Sequence, residues 1–121
     1  MKKIAFWLLV VFYLFAGINH FRNPSFYLDM IPPYFPAHDL LNMISGVAEI
    51  ALAILLLVPS MRYKAAISIM LLLIAFVPAH LYHIQMNGCI PGQTCIPLWV
   101  AWVRLLIFQP LLLLWAWWCR K

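Results

Sequence analysis

Four long apolar runs, separated by short clusters of proline, glycine and charge, set the pattern of this chain. They cover residues 4–21, 39–58, 64–85 and 96–118. Each is close to the ~20 residues needed to cross the hydrocarbon core of a bilayer. The pattern predicts an all-α protein: a four-helix transmembrane bundle forming one domain over residues 1–121. Lys2 and Lys3 ahead of the first run give it the look of a signal peptide. No small-x-small cleavage motif follows, and polar residues come at once, so this run is expected to remain as the first helix.

The segment between the first two runs is too apolar for a fully solvated loop. Residues 23–36 carry Phe26, Tyr27, Met30, Ile31, Tyr34 and Phe35 among four prolines. Those prolines forbid a continuous helix, and the aromatics suit the headgroup region. A structured outer loop lying over the bundle mouth is expected. Within the third and fourth runs, Pro78 and Pro110 each remove one helical hydrogen bond, leaving the carbonyls of Ile74 and Leu106 free, and predict kinks.

Composition sharpens this picture. The chain is 67% hydrophobic and 9% charged, whereas a soluble domain carries about 25% charged residues. The net charge of +5 comes from scattered basic residues at the ends of apolar runs, which excludes a nucleic-acid footprint and reads as a topology signal. Lys2 and Lys3, Arg62 and Lys64, and Arg120 and Lys121 all fall on one side. The positive-inside rule then puts both termini and the 59–63 loop in the cytoplasm. The 22–38 and 86–95 loops face outward. Cys89 and Cys95 lie in that second outer loop, and Pro91-Gly92 between them fits the centre of a type II turn. A disulfide, structural or redox-active, is expected there, as suits an oxidising compartment. Two unpaired thiols or half of a metal site are the alternatives. Cys119, at the opposite end, is expected to be a free thiol.

Two charges sit deep in predicted spans, Glu49 and Arg104. A charge in hydrocarbon costs roughly 2.5–3.5 kcal/mol on insertion scales, so each needs a partner, a wet cavity or a function. Asn42, Ser45 and Glu49 recur at helical spacing on one face of helix two, with Gly46 beside them to admit a close neighbour. His80 and His83 are three apart on helix three, and Asn19-His20 ends helix one. From the helical rise, Glu49 lies roughly 15 Å and Arg104 roughly 12 Å below the outer ends of their helices. The polar groups therefore gather in the outer half of the bundle, and one outward cleft would serve most of them. At matching depth Glu49 and Arg104 are expected to form an ion pair joining helices two and four.

Three chemistries compete for such a cleft. A quinone or similar amphiphile needs hydrogen-bond donors in an apolar slot, which His20, His80 and Arg104 offer, with Glu49 as a proton acceptor and Asn42, Ser45 and His83 nearby. A transition metal would draw on His20, Glu49, His80 and His83, but H-x-x-H spacing is common and the favoured reading assigns no metal. A proton path would need polar groups through the inner half, where only Gln109 is available.

Several stretches together resemble the DoxX-like family of small four-helix membrane proteins. They are Gly17-Ile18-Asn19-His20-Phe21 with Pro24 and Tyr27, Met30-Ile31-Pro32-Pro33, Ser45-Gly46-Val47-Ala48-Glu49-Ile50, Pro78-Ala79-His80, and Arg104 with Gln109 before Leu113, Trp115, Ala116 and Trp117. The resemblance implies a four-helix bundle in a bacterial inner membrane. Some relatives are linked to thiosulfate:quinone oxidoreduction or other redox-stress chemistry, and a distant animal relative is an assembly chaperone. The Cys89–Cys95 pair is not part of the resembling pattern. The expected function is thus a redox-linked inner-membrane protein binding a quinone or similar amphiphile. The alternative is a non-catalytic assembly factor or partner subunit of another membrane protein. A transporter or lipid-handling protein is a third class, and whether the chain is an enzyme stays open. Membrane lipid is the expected surrounding partner.

Overall fold

The computed structural model describes residues 1–91 and 94–121. Its elements are α1 (Lys2–Arg22), α2 (Pro24–Leu28), α3 (His38–Leu56), α4 (Arg62–Ala75), α5 (Val77–Gln85), α6 (Leu98–Val103), a π-helical turn (Arg104–Phe108) and α7 (Gln109–Trp118). They group into four helices long and apolar enough to cross a membrane: Lys2–Arg22, His38–Leu56, Arg62–Gln85 and Leu98–Trp118. Each expected span is found, with ends shifted by at most two residues. Large apolar side chains such as Trp7, Phe15, Leu71, Leu106 and Leu114 are all more than half exposed on the outside of the bundle. That distribution suits acyl chains and would be an aggregation liability in water. This is a multi-pass membrane protein.

The helices close in a ring. α1 packs on α3, α3 on α4, α4 on α7, and α7 returns to α1. The α1–α3 contact is the most intimate, because Gly17 and Gly46 face each other there. A Cβ built on Gly17 would stand 2.6 Å from Ile50 Cγ1 and 2.8 Å from the Gly46 carbonyl oxygen; one on Gly46 would stand 2.8 Å from His20 Cβ. Only hydrogen fits at either position, which is the small-residue route by which helices attract in lipid.

The dry core lies toward the chain termini. Leu9, Val10, Ala53, Leu56, Ala65, Ala66, Ile69, Leu73 and Ala116 interlock there with Cys119. Arg62 closes this end: its Nε donates to the Leu56 carbonyl at 3.1 Å and its guanidinium stacks over Phe6. Trp115 Nε1 donates to the Ala5 carbonyl at 2.9 Å, tying α7 to α1.

At the other end the prolines act more strongly than simple kinks. The third span is broken at Phe76, with Pro78 in the first turn of α5. In the fourth span the π-turn precedes Pro110: the Gln109 N–H reaches back five residues to the Arg104 carbonyl. The missing N–H of Pro110 and the widened turn come together, a pairing common where a membrane helix must re-satisfy its backbone.

The segment after α1 forms a strap. Its turns are held by Met30 N–H to Tyr27 O (3.1 Å) and Phe35 N–H to Pro32 O (3.0 Å), and His38 Nε2 donates to the Pro32 carbonyl at 3.1 Å. Met30 packs with Tyr82 and Ile90 in a second small core. The loop between the first two spans is therefore structured, as expected, and anchored to α5 and to the cysteine loop. Cys89 and Cys95 are disulfide-bonded. Gly88 permits the loop closure with a positive φ of 80°, and a Cβ there would collide with the Ile96 carbonyl. The type II turn expected at Pro91-Gly92 lies in part outside the described residues, since Gly92 is not among them.

Cys119 is fully buried and free, and burial raises its thiol pKa against a smaller opposing effect of Lys2. Alkylation followed by mass spectrometry checks this arrangement. The folded protein is expected to take up no label, the denatured protein to label at Cys119 alone, and the denatured and reduced protein to label at all three cysteines.

Candidate functional site

The end of the bundle away from the chain termini does not close. A cavity of about 720 Å³ opens between α1, α3, α4, α5, the π-turn and the strap. Its walls are mostly Phe, Leu, Ile, Met and Pro. The polar side chains singled out by spacing line it: His20, Asn42, Ser45, Glu49, His80 and Arg104. His83 does not. It faces a second, smaller cavity of about 400 Å³, bounded also by Ser25, Asp29, Thr94 and Arg104. Arg104 lines both and stands between them.

The expected Glu49–Arg104 ion pair is not formed. Glu49 pairs instead with His20, whose Nε2 lies 3.2 Å from Glu49 Oε2, both side chains being about 5% exposed. The Gly17–Gly46 contact explains the correction. It presses α1 onto α3 so closely that the side chain one turn from Gly17 on α1 meets the one nearly one turn from Gly46 on α3. Arg104, on the far wall, has no described carboxylate within ion-pair distance. Its NH1 contacts His83 Nδ1 at 3.4 Å.

The hydrogen-bond pattern fixes several protons. Asn42 Nδ2 donates to the His20 backbone carbonyl at 3.0 Å, so its Oδ1 is the acceptor for His20 Nδ1–H at 2.8 Å. His20 therefore holds a proton on Nδ1, and a second proton can sit on either side of the Nε2–Oε2 contact. His20 and Glu49 form an imidazolium–carboxylate pair or a neutral imidazole–carboxylic acid pair, and the two differ by one short proton transfer. On the other wall Arg104 can only donate, so His83 Nδ1 accepts and its hydrogen is on Nε2.

Tyr27 completes the His20 environment. Its ring stacks on the imidazole with centroids 3.8 Å apart, and its hydroxyl accepts from Asn19 Nδ2 at 2.8 Å. Burial raises the Tyr27 pKa, the Glu49 charge adds to the rise, and the Asn19 hydrogen bond opposes it. The strap thus holds its aromatic ring as a lid on the buried imidazole.

Three buried polar atoms in the main cavity have no aligned hydrogen-bond partner: Tyr13 Oη, Glu49 Oε2 and Gln109 Oε1. Glu49 Oε2 is not alone, since His20 Nε2 lies 3.2 Å away, but that contact is poorly aligned as a hydrogen bond. A group left without a partner costs about 1–3 kcal/mol, so Tyr13 Oη and Gln109 Oε1, both on residues lining one cavity, depart from the ordinary interior. Spacing on helix two led to Glu49, but Tyr13, Tyr27 and Gln109 were not site candidates. Gln109 had one signal, as the only polar side chain in an apolar stretch, beside Pro110. Tyr13 gave none, because a tyrosine in an aromatic-rich span looks like any other packing residue. Among the described residues no three His, Cys, Asp or Glu side chains gather closely enough to hold a metal ion.

Residues 9–120 match a family described as a domain of unknown function, DUF8561. The chain belongs to the DUF8561 family. The match covers the first membrane helix from Leu9 onward, the other three, and the residues lining both cavities, so the site described above lies inside the DUF8561 domain. No curated protein and no solved structure matches the chain.

Proposed function

We propose that this DUF8561 protein binds a quinone or a similar amphiphile in the larger cavity, in a redox-linked role. The observation that carries the reading is a pair of unpartnered polar atoms, Tyr13 Oη and Gln109 Oε1, on residues lining one apolar space together with a proton-sharing His20–Glu49 pair. A quinone headgroup presents two carbonyl acceptors that become hydroxyl donors on reduction. Tyr13 can donate to the oxidised form, and Glu49 and Gln109 can accept from the reduced one. When a separate redox partner delivers two electrons to the bound quinone, two protons are consumed, and the His20–Glu49 pair can supply one of them at the headgroup and take it back on reoxidation. Arg104 and His80 offer polar contacts on the opposite wall, and the apolar lining suits a ring and tail.

This reading sits with the DoxX-like resemblance and with a bacterial inner membrane in which both termini face the cytoplasm. The cavity would then open toward the outer leaflet, where a lipid-soluble ligand can enter between helices.

Quinone extraction from purified protein, together with quenching of tryptophan fluorescence by added short-tail quinone, tests the proposal. Retained quinone and saturable quenching are expected. Gln109→Leu and Tyr13→Phe should each weaken binding about tenfold, as loss of a buried hydrogen bond predicts, while the exposed Tyr34→Phe should leave it unchanged. Lack of retention and of saturable quenching would favour the assembly-factor role, in which lipid fills the cavity and a membrane-protein partner is recovered in fixed proportion.

A further inference from the structure

The smaller cavity has a chemistry of its own. It opens at the loop end of the bundle, between the strap, α5, the π-turn and the residues on either side of Cys95. Three features of it point the same way. Arg104 is a membrane-embedded cation without a described carboxylate within ion-pair distance, and such a charge calls for a counter-ion. His83 is 4% exposed; its Nδ1 is engaged by Arg104, and its remaining donor, Nε2–H, is buried with no aligned partner, the Gly88 backbone being a poorly placed neighbour of the ring. Ser25 and Thr94 add hydroxyls that can turn to donate. A guanidinium, an imidazole N–H without an aligned partner and two hydroxyls around one small space make a donor set for acidic oxygens.

Asp29 on the same wall makes this selective. A carboxylate can only accept, so it repels an oxyanion that is fully deprotonated and favours one that keeps a proton or hydroxyl to donate. We propose that this cavity is a binding site for a protonated oxyanion of the hydrogen-phosphate type, either free phosphate or the phosphomonoester head of a lipid, in preference to sulfate. Arg104 and His83 Nε2–H hold the anionic oxygens, and Asp29 accepts from the remaining P–OH. The proposal does not need the quinone reading, because it uses a different cavity; only Arg104 and Phe26 line both.

The test uses full-length protein in phosphatidylcholine nanodiscs, titrated calorimetrically with inorganic phosphate and with sulfate. Saturable phosphate binding with weak or absent sulfate binding is expected. Ser25→Ala, at an exposed position of α2, and Thr94→Val, at an exposed loop position, should preserve the fold and weaken phosphate several-fold. His83→Phe should weaken it about tenfold or more, the effect of losing a charge-assisted hydrogen bond. Asp29→Asn has the distinctive signature: sulfate should then bind as well as phosphate. A second set of discs containing phosphatidic acid identifies the source. Loss of phosphate binding in those discs assigns the site to a lipid head, and unchanged binding assigns it to the free ion. No binding of phosphate together with no retention of phosphatidic acid would overturn the proposal. So would equal affinity of the native protein for phosphate and sulfate, or phosphate binding that survives both His83→Phe and Arg104→Gln. Quinone retention measured on the same samples separates failure here from failure of the larger cavity.

Discussion

Glu49→Ala is expected to destabilise the protein by about 3–5 kcal/mol, the usual cost of removing one partner from a buried pair. The cost has two parts. The carboxylate lost from α3 leaves His20 with a proton on Nδ1, an engaged Asn42, and an Nε2 edge facing apolar walls. The vacated volume lies beside an existing cavity, so the surroundings gain little by collapsing. The double variant His20→Phe/Glu49→Leu should recover much of the loss, since two apolar groups of similar shape need neither charge nor hydrogen bond. A double-mutant cycle in bicelles, read as reversible unfolding, measures the coupling. Strong coupling is expected between Glu49 and His20. The cycle of Glu49→Gln with Arg104→Met should come out near additive, because those two side chains line the same cavity without touching. A large Glu49–Arg104 coupling and none to His20 would show that the helices are assembled differently from the description above.

The Gly17–Gly46 crossing carries the second large effect. Gly46→Val puts new carbon within 2.8 Å of His20 Cβ and of the Phe21 ring, and Gly17→Val meets the Gly46 carbonyl at 2.8 Å and the Ile50 backbone N at 3.0 Å. Backbone cannot step aside as a side chain end can, so α1 and α3 must separate. Overpacking of this kind costs about 1–3 kcal/mol. Because the crossing also sets the His20–Glu49 distance, each change should weaken ligand binding in the larger cavity as well as stability. A lipid-facing control such as Val11→Ala should shift stability by only about 0.5 kcal/mol. Thermal unfolding and quinone titration on the same three variants check both halves. Unchanged unfolding of Gly17→Val would mean that the two helices do not approach as closely as the structure has them.

These expectations show where sequence reasoning succeeded and where it stopped. The spans were legible because hydrophobic length is a local property that no neighbour can alter. The gathering of polar groups at one end was legible too, because helical rise turns residue number into depth. Pairing was not. Glu49 and Arg104 matched in depth and in charge, and on a single line of residues that looked like a bond. Which helix faces which is decided by rotation about each axis and by the order of packing, and neither is written in one helix alone. The decisive residues were two glycines, whose effect is to let α1 and α3 touch; Gly46 was seen as permissive, but its partner Gly17 was not. Tyr13 and Gln109 entered the site for the same reason, as side chains ordinary by themselves and unusual only once a cavity surrounds them.

The prolines mark the boundary between the two kinds of information. Pro78 and Pro110 guaranteed that two spans would lose regular hydrogen bonds, because a missing N–H is a covalent fact. Whether the result is a bend, a break or a widened turn depended on what stood nearby to satisfy the freed carbonyls. By itself the sequence determined an all-helical membrane protein with a dry end and a polar end, through local covalent chemistry and the free energy of transferring side chains into lipid. Only the tertiary structure decided that His20 is the partner of Glu49 and that Arg104 stands between two cavities, because contacts between helices depend on backbone approach.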